Sequence, residues 1–153
     1  HMGRYAYANQ PAIAQWNLVR LAETMLPLFD EDTKKATDMA EEAVSGFGAV
    51  YKEKSLSMLR AKLGLFGVRA EDENLITDLL DWMQRRDADY TNTFLDLTKE
   101  ALPKGEPYDG ETFKEWYTRW QARLAKNMEP LKSSLSLMRA NIPAVIPRTH
   151  KVE

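Results

Sequence analysis

Arg86-Asp87, four intervening residues and then Asn92 have the spacing of a phosphotransferase catalytic loop, where the Asp takes a hydroxyl proton and the Asn holds a metal ion. The surroundings argue against that chemistry. Arg85 stands where such loops carry histidine, Tyr90-Thr91 fall at a helix start, and no metal-binding Asp-Phe-Gly follows. Asp87 or Asp89 is therefore expected to cap a helix, with Asn92 facing solvent. The acidic run Glu71-Asp72-Glu73, with Asp78 and Asp81 beyond it, has the oxygens that calcium and magnesium use, but not the alternating ligands and central glycine of a calcium loop. Carboxylates there complement the positive end of a helix.

His150 is the only histidine beyond residue 1; it has no serine or cysteine partner at a recognisable spacing and assembles no zinc site. Trp116, Tyr117 and Trp120 have faces on which bases stack, yet at helical spacing and without a basic stripe they read as core. Arg4, Asn9 and Gln10, beside Tyr5 and Tyr7, precede Pro11 at a helix entrance. Either they anchor a loop or contact an anion there, or Asn9 caps the helix while Arg4 pairs with a carboxylate. These patterns assign no catalytic, cofactor-binding or metal-binding residue.

The elements that carry these residues are helical. Apolar residues recur at three- and four-residue steps from end to end, and no long run alternates as a strand does. A first helix opens at Gln10-Pro11, with proline in the first turn where its missing N–H costs nothing. Ile13, Trp16, Leu18, Val19, Leu21, Ala22, Met25 and Leu26 cover more than one stripe of it, which predicts burial on most sides. Pro27 is expected to end or kink it.

Asp32-Thr33 can cap a second, longer helix through Ala36, Ala40, Ala43, Phe47, Val50, Met58, Leu59 and Leu63. Gly46 and Gly48 weaken it, as a bend or a close helix crossing, and Gly64 stops it. A third helix carries Leu75, Ile76, Leu79, Leu80 and Met83; a fourth, after a break at Asp87 to Asp89, carries Tyr90, Phe94, Leu97 and Ala101. Pro103 to Gly110 reads as a loop. A fifth helix, Glu111 to about Asn127, turns Phe113, Trp116, Tyr117, Trp120 and Leu124 inward, and Pro130 opens a sixth with Leu131, Leu135 and Met138 on one side. The tail Ile142 to Glu153 is expected to be extended. The fold class is all-α, about six helices, with no evident domain boundary.

At 153 residues the chain suits one core-bearing domain. It is 44% hydrophobic and 29% charged, and 21 basic against 23 acidic residues leave a net charge of −2, with no basic field for nucleic acid. The absence of cysteine removes disulfides and thiolate metal sites and fits a reducing compartment. The most apolar segment, Ile13 to Phe29, carries Asn17, Arg20 and Glu23 and falls short of the ~20 residues a bilayer span needs. His1-Met2 reads as a cloning scar, and the natural chain is not expected to begin at Gly3.

Four blocks, in order, resemble the C-terminal part of the selenoprotein O family, called YdiU in bacteria. They are Gly3-Arg4-Tyr5-Ala6-Tyr7 through Asn9-Gln10-Pro11 and Trp16-Asn17-Leu18 to Leu21-Ala22, then Lys62-Leu63-Gly64-Leu65, then Asp89-Tyr90-Thr91-Asn92-Thr93-Phe94, then Ile146-Pro147-Arg148-Thr149-His150-Lys151-Val152-Glu153. The first is distinctive and marks Arg4, Tyr5, Asn9, Gln10, Trp16 and Asn17 as family-motif residues. The tail departs from the family at Ile142 and Thr149, where relatives commonly carry Asn, and the family's C-terminal selenocysteine or cysteine is absent.

The resemblance implies a kinase-like protein nucleotidyltransferase. Such proteins use ATP or UTP with Mg²⁺ or Mn²⁺ to attach AMP or UMP to protein Ser, Thr or Tyr hydroxyls. It implies further that residues 3–153 are the helical C-lobe part, without the catalytic motifs, and are inactive alone. The expected partners are the N-terminal lobe of the same bacterial cytoplasmic protein and its protein substrates, with no nucleic acid or membrane. A homodimer of the isolated piece is a further possibility. The alternative is a freestanding helical module that binds a partner through an exposed aromatic or methionine face.

Overall fold

Residues 9–99 and 101–143 are described by the computed structural model, and among them seven helices and no strand occur. These are α1 (Gln10–Phe29), α2 (Thr33–Ser45), α3 (Phe47–Lys62), α4 (Asp72–Arg86), α5 (Tyr90–Leu97), α6 (Glu111–Leu124) and α7 (Leu131–Ala140). The all-α expectation holds. The extra helix comes from the long second one, which divides at Gly46. A Cβ at Gly46 or Gly48 would meet open space, so this is a bend and not a close crossing. The chain forms two compact units that divide at Ser55/Leu56, inside α3, where nothing in composition marks a linker.

In the first unit, Pro11 occupies the first turn of α1 as expected. Pro27 does not end the helix; it sits in the last turn, where its missing N–H removes only one late bond, and α1 runs on to Phe29. Burial of α1 on most sides is not observed. None of its residues is buried, and Trp16 is 47%, Leu21 54% and Leu28 79% exposed. Asp32 caps α2 by accepting from the backbone N–H groups of Lys34 (2.9 Å) and Lys35 (3.3 Å). Ala36 and Ala40 are the buried residues of α2, small enough to let α1 and α2 pack closely.

The second unit holds the aromatic core. Phe113, Trp116 and Trp120 are buried as their spacing requires, and each indole finds a carbonyl: Trp116 Nε1 donates to Leu75 O (2.8 Å), Trp120 Nε1 to Leu63 O (2.9 Å). The α6 helix ends at Leu124, three residues before the expected Asn127, because the Asn127 side chain is drawn into bonds with other elements. In α7, Leu135 and Met138 are buried, whereas Leu131 in the first turn is exposed.

Gly64 stops α3 as expected. Its φ is +69°, its N–H donates to Ala61 O and the next N–H, of Leu65, reaches back to Arg60 O, the double bond of a Schellman motif. A Cβ there would lie 3.0 Å from Ser134 O and 3.1 Å from Met138 Cγ. Gly64→Ala is therefore expected to cost about 1–3 kcal/mol in urea unfolding. Gly46→Ala, at right-handed φ −70° with open space, should instead stabilise by about 0.4–1 kcal/mol.

Candidate functional site

Asp72, at the first position of α4, is completely buried, and a carboxylate there must be neutralised where it lies. Its Oδ1 accepts from Arg123 Nε at 2.6 Å; its Oδ2 accepts from Arg60 Nε (2.9 Å), the Arg69 N–H (3.0 Å) and Arg123 Nη2 (3.4 Å). Arg123, 2% exposed, also donates to Phe66 O (3.0 Å) and Asn127 Oδ1 (3.0 Å). Asn127 then donates to Gly64 O and Ser134 Oγ, both at 2.9 Å, and accepts the Phe66 N–H. One network thus joins the end of α3, the loop after it, the start of α4, the end of α6 and α7.

Burial pushes the Asp72 carboxyl up, but the Arg123 hydrogen bonds, the Arg69 N–H and Arg60 outweigh it and hold the group below its ordinary value. The expectation that Glu71-Asp72-Glu73 only complements a helix dipole is corrected for Asp72. Glu71 and Glu73 remain exposed, and Glu71 pairs with Lys126 at 2.6 Å. A signal for the buried pair was present in the chain. Arg123 falls seven residues after Trp116 and three after Trp120, on an aromatic stripe where a guanidinium requires an anion.

Other polar groups of this unit are also committed to structure. Tyr108 stacks near Trp82 and Phe113, and its hydroxyl donates to Asp96 Oδ2 at 2.6 Å. Burial, with the Asp96 carboxylate beside it, pushes this phenol up to about 12, so it neither gives nor takes a proton at neutral pH. Lys62 is buried, donates from Nζ to Asn141 O (2.7 Å) and lies 5.4 Å from the Phe94 ring centroid; burial lowers its pKa. The Trp82 indole N–H has no acceptor.

The phosphotransferase-loop spacing dissolves in three dimensions. Asp87 ends α4 in the left-handed conformation, Asp89 caps α5 by accepting the Asn92 N–H at 2.7 Å, and the Asn92 side chain is exposed. Among the described residues no group of three or more His, Asp or Glu is arranged for a metal ion, and both Asp72 oxygens are taken by arginines and backbone. Among the described residues, no donor set for Mg²⁺ or Mn²⁺ is assembled. No helix is long and apolar enough to cross a membrane, among the described residues.

Of the motif residues, Arg4 and Tyr5 lie outside the described residues, as does His150. Asn9 stands at the N-cap of α1 but makes no side-chain capping bond, and Gln10, Trp16 and Asn17 are exposed along the first half of that helix. The Arg20 guanidinium lies 5.6 Å from the Trp16 ring centroid. On the side of α1 facing α2, Val19, Ala22 and Leu26 meet Ala40 and Val44 in an open cleft of about 390 Å³, with Glu23 and Glu41 also lining it.

The family model described as Protein adenylyltransferase SelO matches residues 1–153. A protein nucleotidyltransferase YdiU of Nitrosococcus oceani is 58% identical over 153 residues, covering 100% of this chain and 31% of the relative. The corresponding protein of Alcanivorax borkumensis is 55% identical over 153 residues, 100% of this chain and 32% of the relative. A Clostridium botulinum one is 50% identical over 151 residues, 99% of this chain and 31% of the relative. The chain spans about a third of the length of these curated relatives.

Asp72→Asn leaves Arg123 buried without its counter-charge and should cost about 3–5 kcal/mol in denaturant unfolding at pH 7. A carboxyl held below its ordinary value contributes stability above pH 3.8 that is lost as pH falls through the lower native value. Acid titration of stability should show that loss in the wild type and not in Asp72→Asn. Tyr108 has the opposite sign. Raised above 10, it contributes stability that is complete below pH 10 and is lost as pH rises through about 12. Tyr108→Phe should be the less stable protein at pH 8, and its deficit should shrink across that alkaline window in a series of unfolding curves.

Proposed function

This chain belongs to the SelO protein adenylyltransferase family, and on that premise we propose that it is the helical, non-catalytic portion of a longer bacterial protein nucleotidyltransferase. The longer protein transfers AMP or UMP from ATP or UTP, with Mg²⁺ or Mn²⁺, to hydroxyl side chains of other proteins in the cytoplasm. Nucleotide and metal bind in the remaining two-thirds of its length, a kinase-like body, while this chain supports that body as its helical C-lobe part. The reading rests on names carried by relatives of about three times this length.

The observation that carries the supporting role is the surface of α1. Trp16, Leu18, Leu21 and Leu28 are all substantially exposed on a helix with no buried residue, and Met39, Val50 and Tyr51 are exposed on α2 and α3 of the same unit. Apolar side chains gathered this way belong against protein. The α1 face is where the rest of the longer protein packs, with Trp16 and Leu21 beneath the floor of the nucleotide site, and the motif residues Asn9, Gln10 and Asn17 at its edge.

The test is nucleotide transfer. The 153-residue chain, given ATP or UTP with Mg²⁺ and a protein mixture, is expected to bind no nucleotide by calorimetry and to label nothing. Joined to the remaining part of the Nitrosococcus oceani relative, it should support Mg²⁺-dependent labelling, and Leu21→Glu within α1 should reduce it. Labelling of protein by the 153-residue chain alone would overturn the proposal.

A further inference from the structure

The α1–α2 cleft has the form of a seat for one more helix. Only Asp30, Glu31 and Asp32 connect the two helices, so they run antiparallel and leave a groove along their shared side. Val19, Ala22 and Leu26 of α1 recur at three- and four-residue steps along it, facing Ala40 and Val44 of α2. Alanines on both walls let a third backbone come close, and the groove of about 390 Å³ is sized for a row of aliphatic side chains. Its charged residues are both acidic. Glu23 is held by Arg20 at 2.6 Å, whereas Glu41 is exposed and carries no ion pair among the described residues.

We propose that this cleft takes an amphipathic helix from the two-thirds of the longer protein that lies outside this chain, its apolar stripe in the groove and a Lys or Arg beside Glu41. The occupant follows from charge and from length. A second copy docked groove to groove would bring its own Glu23 and Glu41 to the same rim, setting like charges face to face. The relatives, in which this chain makes up only 31–32% of the length, hold ample further sequence to supply the helix. The inference rests on the supporting role proposed above and adds the place and chemistry of the contact. Helix-in-groove packing of this kind draws its energy from the apolar stripe and its register from the edge charge.

Thiol protection tests it, because the chain contains no cysteine of its own. Single variants Val44→Cys in the cleft, Leu21→Cys on the opposite face of α1 and Met128→Cys at a 99% exposed position of the second unit are made in two settings. One is the 153-residue chain; the other is the same chain joined to the remainder of the Nitrosococcus oceani relative. Maleimide modification at the introduced site is read by mass spectrometry. The Val44→Cys thiol should be slowed at least about tenfold in the longer protein, and Met128→Cys should react alike in both.

If Val44→Cys stays fast while Leu21→Cys is slowed, the cleft proposal fails and the supporting role stands. If both stay fast, the supporting role fails with it. Glu41→Lys should lower the melting temperature of the longer protein and leave that of the 153-residue chain unchanged. Equal melting temperatures of the longer protein with and without Glu41→Lys would overturn the basic edge of the occupant.

Discussion

A carboxylate and a guanidinium, both out of contact with water, hold the second unit of this protein together. Asp72 and Arg123 are 51 residues apart in sequence, and neither can be buried without the other. Desolvating two charges offsets much of their attraction, so the pair is not a large net source of stability compared with an apolar core. Its consequence is specificity. The loop after α3, the start of α4 and the end of α6 are tied together by four hydrogen bonds from Arg123 and by the contacts to both oxygens of Asp72, and Asn127 extends the network to Gly64 and α7. The three tryptophans and Phe113 pack inside a frame whose corners that network has already set.

The two units use apolar side chains in opposite ways. In the second, aromatic rings bury one another, and the indole N–H groups of Trp116 and Trp120 find carbonyls. In the first, the buried residues among those described are two alanines; Trp16, Leu18, Leu21 and Leu28 of α1 are exposed, and Val19 and Leu26 are only partly covered beside α2. A helix hairpin with so little interior does not supply its own hydrophobic stabilisation. Under the proposed supporting role, the exposed apolar side chains of α1 are the surface that the rest of the longer protein covers.

Much of the architecture was legible in the residues. Pro11 in a first turn, Asp32 and Asp89 as caps, Gly64 as a stop and the Phe113–Leu124 stripe all act locally, through backbone angles and hydrogen bonds spanning a few residues. The division at Gly46 was half legible: the glycine marked a weak point, but whether the helix bends there depends on what packs beside it. The role of Asp72 was concealed because its partners come from α3 and α6, and an acidic residue in a first helical turn already has a sufficient local reason to be there.

Periodicity records which side of a helix is apolar and leaves open what covers it. From its own residues the chain determined an all-α protein, the ends of most helices, the aromatic core stripe of α6 and, through the Gly3–Ala22 block, its family. Those properties depend on neighbours within a turn or two, or on matching residue types in order. Tertiary structure alone decided that Arg123 reaches Asp72, that the chain forms two units within a continuous run of helix-forming sequence, and that α1, packed on α2, fully buries none of its residues. Each of these is a pairing between distant segments, and the free energy of such a pairing belongs to the two surfaces that meet, so neither segment's sequence contains it.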